Sequence, residues 1–388
     1  MKRLAIVTTH PIQYNAPWFR LLASREKVRI KVFYTWEQSQ DGALYDPGFD
    51  KIVQWDVPLL EGYDYLFVKN ISSNPGCHHF WGIVNPTLIE EIKTWQADAV
   101  LVFTWSYKSH LKCLRYFHNK IPVLFRGDST LLDEKTGLKT ILRRILLKWV
   151  YASVNFALYV GINSKRYFIK HGLKKTQLCY VPHAVDNKRF CYTEKYRSEA
   201  SALRHTLNIK DDEVVFLFAG KLEAKKNTGL LIEAFQELDN KKVHLVIAGN
   251  GVEEARLKQR FSGLENLHFM DFQNQTVMPV IYNLCDVFVL PSNGPGETWG
   301  LSINEAMACR KAVLVSDKCG GAIDLVQEGK NGFIFKSSSK DDLVNKLRTL
   351  MINKEALEVM GGRSFEIVQK FSFENICSNI ESCIQRRL

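Results

Sequence analysis

The chain has 388 residues, 46% of them apolar and 24% charged, and carries a net charge of +11. That length exceeds what one core usually holds, so two domains are expected, and no stretch approaches the roughly 18 uncharged apolar residues that a membrane span needs. Nine cysteines, an odd number with no CxxC pair, argue against a disulfide scaffold or a Cys-type zinc site and fit a reducing, cytoplasmic setting.

The chain opens with MKRLAIVTTHPIQY, in which two basic residues precede an apolar run too short for a secretory h-region; Leu4 to Val7 reads as a first buried strand. RLAIVTT, RIKVFYT, DAVLVFT, IPVLFRG, FALYVGI and QLCYVP then follow as short apolar runs. After the first of them the loop THPIQYNAPWF places His10, Gln13, Tyr14 and Asn15 at the carboxyl end of a strand, where Pro11 and Pro17 stiffen it. His10 is a candidate contact to a ligand, or a histidine satisfied by neighbouring backbone. The segment LKTILRRILLKWVY (138–151) has helical spacing, with Leu138, Ile141, Leu142, Ile145, Leu146 and Trp149 on one side and Lys139, Arg143 and Lys148 largely on the other. It suits either a core-facing helix with a solvated basic face or a helix lying on anionic lipid.

Charge helps to choose between them. Residues 1–200 hold 29 Lys+Arg against 17 Asp+Glu and residues 201–388 hold 23 against 24, so the excess is +12 in the first half and −1 in the second; 101–200 alone holds 19 basic and 6 acidic residues. So concentrated a field predicts an anionic partner for the first half, and peripheral contact with an anionic membrane is favoured.

The polar stretch 186–212 has no strand signal and sets a domain boundary near residue 195. Beyond it EVVFLFAG, KVHLVIAG, LHFMDF, DVFVLPS, KAVLVSD and NGFIFK alternate with amphipathic stretches. Both halves therefore read as α/β, a parallel sheet covered by helices, with ligands expected outside the carboxyl ends of the strands and in the cleft between two facing sheets. The domains are 1–195 and 196–370, and the helix pattern of 371–388 is left to pack back on the first.

Two loops of the second half carry chemistry. In AGKLEAKKN (219–227), Lys221 at a strand end and Lys226 before a helix can converge on an anion such as a diphosphate leaving group, whose charge needs stabilising as its bond breaks. In PSNGPGETWGLSINEAMA (291–308), Glu297 lies in a glycine-rich loop, suited to accept hydrogen bonds from sugar hydroxyls, and the amides of Gly300, Leu301 and Ser302 open a helix that can hold phosphate oxygens. Ser302 and Glu305 have the spacing of a capping box, which gives Glu305 a purely structural alternative.

ETWGLSINEAMA resembles the E-x7-E signature of retaining glycosyltransferases of the GT-B fold, especially glycosyltransferase family 4. AGKLEAKKN, IAGNG (247–251), VPHAVD (181–186) and GGAIDLVQEGKNGFIF (320–335) follow the family's pattern too, so the resemblance covers essentially the whole chain. It implies two Rossmann-like domains facing across a cleft, the first binding the acceptor and the second a nucleotide-sugar donor, UDP-sugar first and GDP-sugar next. It assigns Glu305 to the ribose, Glu297 to the hydroxyls of the transferred sugar and the pair Lys221 and Lys226 to the diphosphate. Thr298, Trp299 and Gly249 join the donor-binding set, with Phe272 and Asn274 near the base.

Three positions depart from the family. Lys221 replaces a more usual Arg, exchanging a bidentate fork for a point charge. Arg310 stands where the helix after Glu305 usually ends in Gly. LFRGDST offers Arg126 and Asp128 where many relatives carry a histidine near the reacting sugar; Asp128 either positions acceptor or sugar or caps a turn. No Asp-x-Asp triplet is present, so transfer without a metal or other cofactor is expected, to a glycan or lipid-linked acceptor in bacterial cell-surface polysaccharide or lipopolysaccharide synthesis. A nucleotide-sugar epimerase on the same fold is the alternative. Nucleic-acid binding leaves both glutamates and both lysines unexplained, and no nucleic-acid partner is expected.

Overall fold

A computed structural model describes residues 1–36, 43–46, 48–49, 51–351 and 353–387. They form two compact units, one of Met1–Leu44, Val57–His183 and Phe373–Leu388, the other of Tyr45–Asp56 and Ala184–Ser372. In chain order the elements are β1 (Lys2–Thr8), α1 (Ala16–Ser24), β2 (Val28–Tyr34), β3 (Ala43–Asp46), β4 (Lys51–Gln54), β5 (Asp64–Phe67), α2 (Leu88–Thr94), β6 (Ala99–Phe103), α3 (Lys108–Phe117), β7 (Val123–Arg126), α4 (Leu138–Tyr151), β8 (Phe156–Tyr159), α5 (Ile162–Lys170) and β9 (Leu178–Tyr180). There follow α6 (Glu194–Thr206), β10 (Val214–Ala219), α7 (Thr228–Gln236), β11 (Val243–Ala248), α8 (Glu254–Arg260), β12 (Leu267–Met270), α9 (Met278–Leu284), β13 (Val287–Leu290), α10 (Leu301–Ala308), β14 (Ala312–Ser316), α11 (Ala322–Leu325), β15 (Gly332–Phe335), α12 (Lys340–Leu350), α13 (Lys354–Val368) and α14 (Phe373–Arg387).

The first unit holds a parallel seven-stranded sheet in the order β5-β2-β1-β6-β7-β8-β9. The second holds a parallel six-stranded sheet, β12-β11-β10-β13-β14-β15. Its central strands are buried along their whole length, as the continuous apolar runs VVFLFA and VHLVIA require when helices cover both faces. Strand order reverses between β1 and β6 in the first sheet and between β10 and β13 in the second, and at such switch points loops diverge to leave a crevice at the carboxyl ends.

All twelve expected strands are present. Strands β3, β4 and β5 were not expected from the sequence. The division between units falls at His183/Ala184 rather than near 195, because the stretch before α6 attaches to the second unit: Asn187 donates to the carbonyls of Val368 and Phe371 at 3.3 and 3.1 Å, and Phe190 packs edge-on against Tyr282. Helix α14 belongs to the first unit, where the Arg25 guanidinium, just after α1, lies 2.7 and 2.9 Å from the buried Glu381 carboxylate.

Helix α4 departs from the core-facing expectation. Its core side is Leu147, Val150 and Tyr151, whereas Leu138, Ile141, Leu142, Ile145, Leu146 and Trp149 stand 45 to 71% exposed along one stripe. Among the described residues no helix is long and apolar enough to cross a membrane.

Candidate active site

The second unit's site grows from the loops after β10, β13 and β14, at the switch point of its sheet. After β10, Gly220 leads through Lys221 to a turn of 3-10 helix over Ala224–Lys226, and Asn227, in the left-handed region at φ 57°, starts α7. After β13 the chain passes Ser292 and Glu297 and enters α10 through Gly300 at φ 92°. A side chain at Gly300 would meet Leu290 at 2.8 Å and Ile303 at 2.9 Å, so the glycine serves both the turn and the packing beneath it. Two amides of the loop after β14 fix this segment: Gly320 donates to the Glu297 carbonyl at 2.8 Å and Gly321 to that of Trp299 at 2.9 Å.

Glu297 and Lys226 form an ion pair through Glu297 Oε2, which also accepts the Ser292 hydroxyl at 2.9 Å. Both side chains are largely buried, which makes their geometry more constrained than that of a surface pair. Cys319 lies beside them, its thiol pushed up to about 12 by burial and then by the Glu297 charge, so it stays protonated and is no nucleophile at neutral pH.

Glu305 is not a capping residue. Gly300, not Ser302, occupies the N-cap position, and Ser302 lies inside the helix; the Glu305 carboxylate, 3% exposed, accepts the Tyr282 hydroxyl at 2.7 Å. The first-turn amides of α10, those of Leu301 and Ser302 with Gly300 just before them, have no acceptor within the helix and form the positive end of its dipole.

Other expected contacts are placed differently. Trp299 is packed inward, 3% exposed, with its indole N–H on Asn304 Oδ1 at 2.8 Å and its ring near Phe371, so it underpins the loop rather than lining a pocket. Thr298 beside it is half-buried. Gly249, at φ 140°, would place a Cβ 2.0 Å from the Gly220 carbonyl oxygen; its role is the close approach of two strand ends. Phe272 and Asn274, after β12, are engaged by Tyr45–Asp56: Phe49 and Trp55 pack edge-on against Phe272 at ring distances of 4.7 and 6.1 Å, and Asn274 donates to the Gln54 carbonyl at 2.6 Å. Lys221 is paired with Asp46 of the same segment.

In the first unit, the carboxyl ends of β1, β7 and β9 carry the remaining candidates. His10 is half-buried with its ring edge-on to Trp36 at 5.3 Å; Gln13 is buried and Tyr14 half-buried. Arg126 is not an open cation: buried at the end of β7, it donates to the carbonyls of Val181 and Pro182 at 2.9 and 3.0 Å and ties two strand ends together. Asp128 Oδ2 lies 3.5 Å from Nε2 of His183, which stands in VPHAVD and which no spacing in the sequence links to Asp128. Burial holds the His183 pKa below its ordinary value against the opposing pull of Asp128, so its imidazole is neutral at pH 7. A histidine beside a carboxylate is thus present at the carboxyl ends of this sheet, supplied by the loop after β9 rather than by LFRGDST.

Two α/β units, each built on a parallel sheet with its own switch point, make up the GT-B class of fold. The Anabaena protein HepE, solved in complex with UDP and glucose, aligns over 100% of both chains with a TM-score of 0.73 at 18% identity, a likeness of fold. Residues 200–366 match the family model of glycosyl transferases group 1, and the chain therefore carries a group 1 glycosyltransferase domain. Relatives include a sulfoquinovosyl transferase of Arabidopsis thaliana, 28% identical over 201 residues (51% of this chain, 38% of that one), and the lipopolysaccharide 1,2-N-acetylglucosaminetransferase of Salmonella typhimurium, 28% identical over 227 residues (55% and 58%). The alignments thus span less than two thirds of either relative.

Proposed function

We propose that this protein transfers a sugar from a nucleotide-diphosphate sugar, UDP-sugar first and GDP-sugar next, to a glycan or lipid-linked acceptor with retention of anomeric configuration. The carrying observation is the convergence of Lys226, Glu297 and the N-terminus of α10 at one switch point, with Glu305 buried within that helix. Lys226 and the α10 amides would take the charge that develops on the diphosphate as the bond between anomeric carbon and phosphate oxygen breaks. The acceptor oxygen bonds to the anomeric carbon on the face the diphosphate leaves, and its proton passes to a leaving phosphate oxygen, which makes a separate general base unnecessary. Glu297 accepts hydroxyls of the sugar and Glu305 those of the ribose. The two lysines and the helix amides carry the charge that a metal ion would otherwise carry, and the reaction is metal-independent. UDP in the HepE complex supports the base preference, and the Salmonella relative supports a role in bacterial lipopolysaccharide or other cell-surface polysaccharide synthesis.

The test is a thermal-shift and calorimetric screen with UDP, GDP, ADP, CMP and their sugars in EDTA. One nucleoside diphosphate should bind saturably, and Glu305→Ala should weaken it about 10-fold, on the order of a lost charge-assisted hydrogen bond. Equal binding by the variant would remove Glu305 from the site.

We further propose that the protein works at the cytoplasmic face of an anionic membrane, with α4 as its contact. An exposed apolar stripe adjoining Lys139, Arg143 and Lys148 has the composition of a helix seated at the headgroup boundary, and Arg115 lies over the Trp149 ring at 4.1 Å. Binding to vesicles with anionic lipid should exceed binding to zwitterionic ones, and Ile141→Asp with Ile145→Asp should weaken it at least about 10-fold without lowering Tm. Equal binding to both vesicle types would count against the assignment, as would a parent chain that dimerises through this face.

A further inference from the structure

Lys221, expected to meet a diphosphate, already holds an anion. Its Nζ lies 2.7 and 2.8 Å from the two carboxylate oxygens of Asp46, whose own position is fixed by the amides of Gly48 at 2.8 Å and Phe49 at 3.3 Å. The lysine stem fills the space beside Gly48, where an added Cβ would lie 2.5 Å from its Cδ, and the ammonium sits 5.0 Å from the centroid of the Phe49 ring. Asp46 lies 175 residues away in sequence yet belongs to the same compact unit.

The attachment extends along the segment. Besides Phe49 and Gln54, Lys51 donates to Asn250 Oδ1 at 2.8 Å, and the Asp56 carboxylate accepts the Thr276 amide at 3.1 Å. Tyr45–Asp56 therefore engages Lys221, Phe272 and Asn274, the groups that the donor reading gives to diphosphate and base. A carboxylate gripping an ammonium through both oxygens offers the contact a phosphate would make. Burial alone would raise the Asp46 carboxyl, but the hydrogen bond and charge of Lys221, with the two amides, outweigh it and hold the pKa below the usual carboxylate value. The Asp46 carboxyl is therefore ionised at neutral pH, and a diphosphate reaching Lys221 exchanges one anion for another.

We propose that Asp46 is an internal counter-ion competing with the donor diphosphate for Lys221, so that Tyr45–Asp56 sets donor affinity. The inference rests on the second unit being the nucleotide-sugar site. It makes Asp46 a positioning residue acting through Lys221, and it reverses the usual sign: deleting this polar contact strengthens ligand binding. A purely structural Asp46 would weaken it or leave it alone.

The experiment is calorimetry of the full chain with UDP and GDP in EDTA, for the parent, Asp46→Asn, Lys221→Ala and the double variant, with Asp46→Ser as a second replacement should the first fold poorly. Removing the carboxylate should lower the Kd of the diphosphate that binds about 3- to 10-fold, more at low than at high salt, and should change nothing in the Lys221→Ala background. Unchanged or weaker binding by folded Asp46 variants overturns the proposal, as does a gain that persists without Lys221. If neither diphosphate binds any of these proteins, the donor reading fails first and this inference with it.

Discussion

Glu297→Gln is expected to slow nucleoside diphosphate release from the donor sugar at least about 100-fold, or about 2.7 kcal/mol of barrier, while diphosphate binding stays within about 3-fold. Its carboxylate joins Lys226 and Ser292 at the head of β13, so an amide keeps the shape of the site and removes the charge. Sugar hydroxyls then lose a charged acceptor, and Lys226 loses the anion that holds it in place. Lys226→Ala removes the other half of the pair and is expected to lower binding and turnover together. Steady-state release assays beside calorimetry separate the two patterns. Parent-like turnover by Glu297→Gln would make this glutamate only the partner of a lysine.

Gly249→Ala is expected to destabilise the protein by about 3 kcal/mol or more, lowering Tm by roughly 10 °C or preventing soluble expression. The added methyl would sit 2.0 Å from the Gly220 carbonyl oxygen at φ 140°, so two strand ends would have to separate at the base of the site. Gly263 is the control: an added Cβ there meets nothing within 4 Å, and Gly263→Ala should stay within about 0.5 kcal/mol of the parent. A scan showing equal Tm for both variants would mean that the strand ends can relax, and Gly249 would return to consideration as a ligand contact.

Strands covered on both faces were legible because double coverage forces continuous apolar runs such as VVFLFA. Strands β4 and β5 were not, since KIVQ and DYLF keep exposed positions and offer little periodicity. The stripe on α4 was found by its spacing, but the same helix has a second apolar side, Leu147 with Val150, and spacing cannot say which side meets the core. Glu297 and Glu305 were recognised as residues of interest from their loop and helix. What they touch was hidden, because Lys226 and Tyr282 come from other elements, 71 and 23 residues away. The capping-box reading of Glu305 failed because Gly300 adopts the left-handed conformation and moves the helix start away from Ser302. Trp299 followed a similar course, since its neighbours favour a pocket wall while its indole finds Asn304 inside.

The exchange of segments between the units bears on how the chain is made. The first unit is closed by α14, whose Ile376, Cys377 and Ile380 are buried and whose Glu381 meets Arg25, so its last apolar covering leaves the ribosome only after the whole second unit has been made. The second unit takes Tyr45–Asp56 from near the beginning. Vectorial folding therefore cannot finish the amino-terminal half before the carboxyl-terminal half has emerged, and a chain halted after residue 372 would hold a finished second sheet beside a first one with its α1 face still wet.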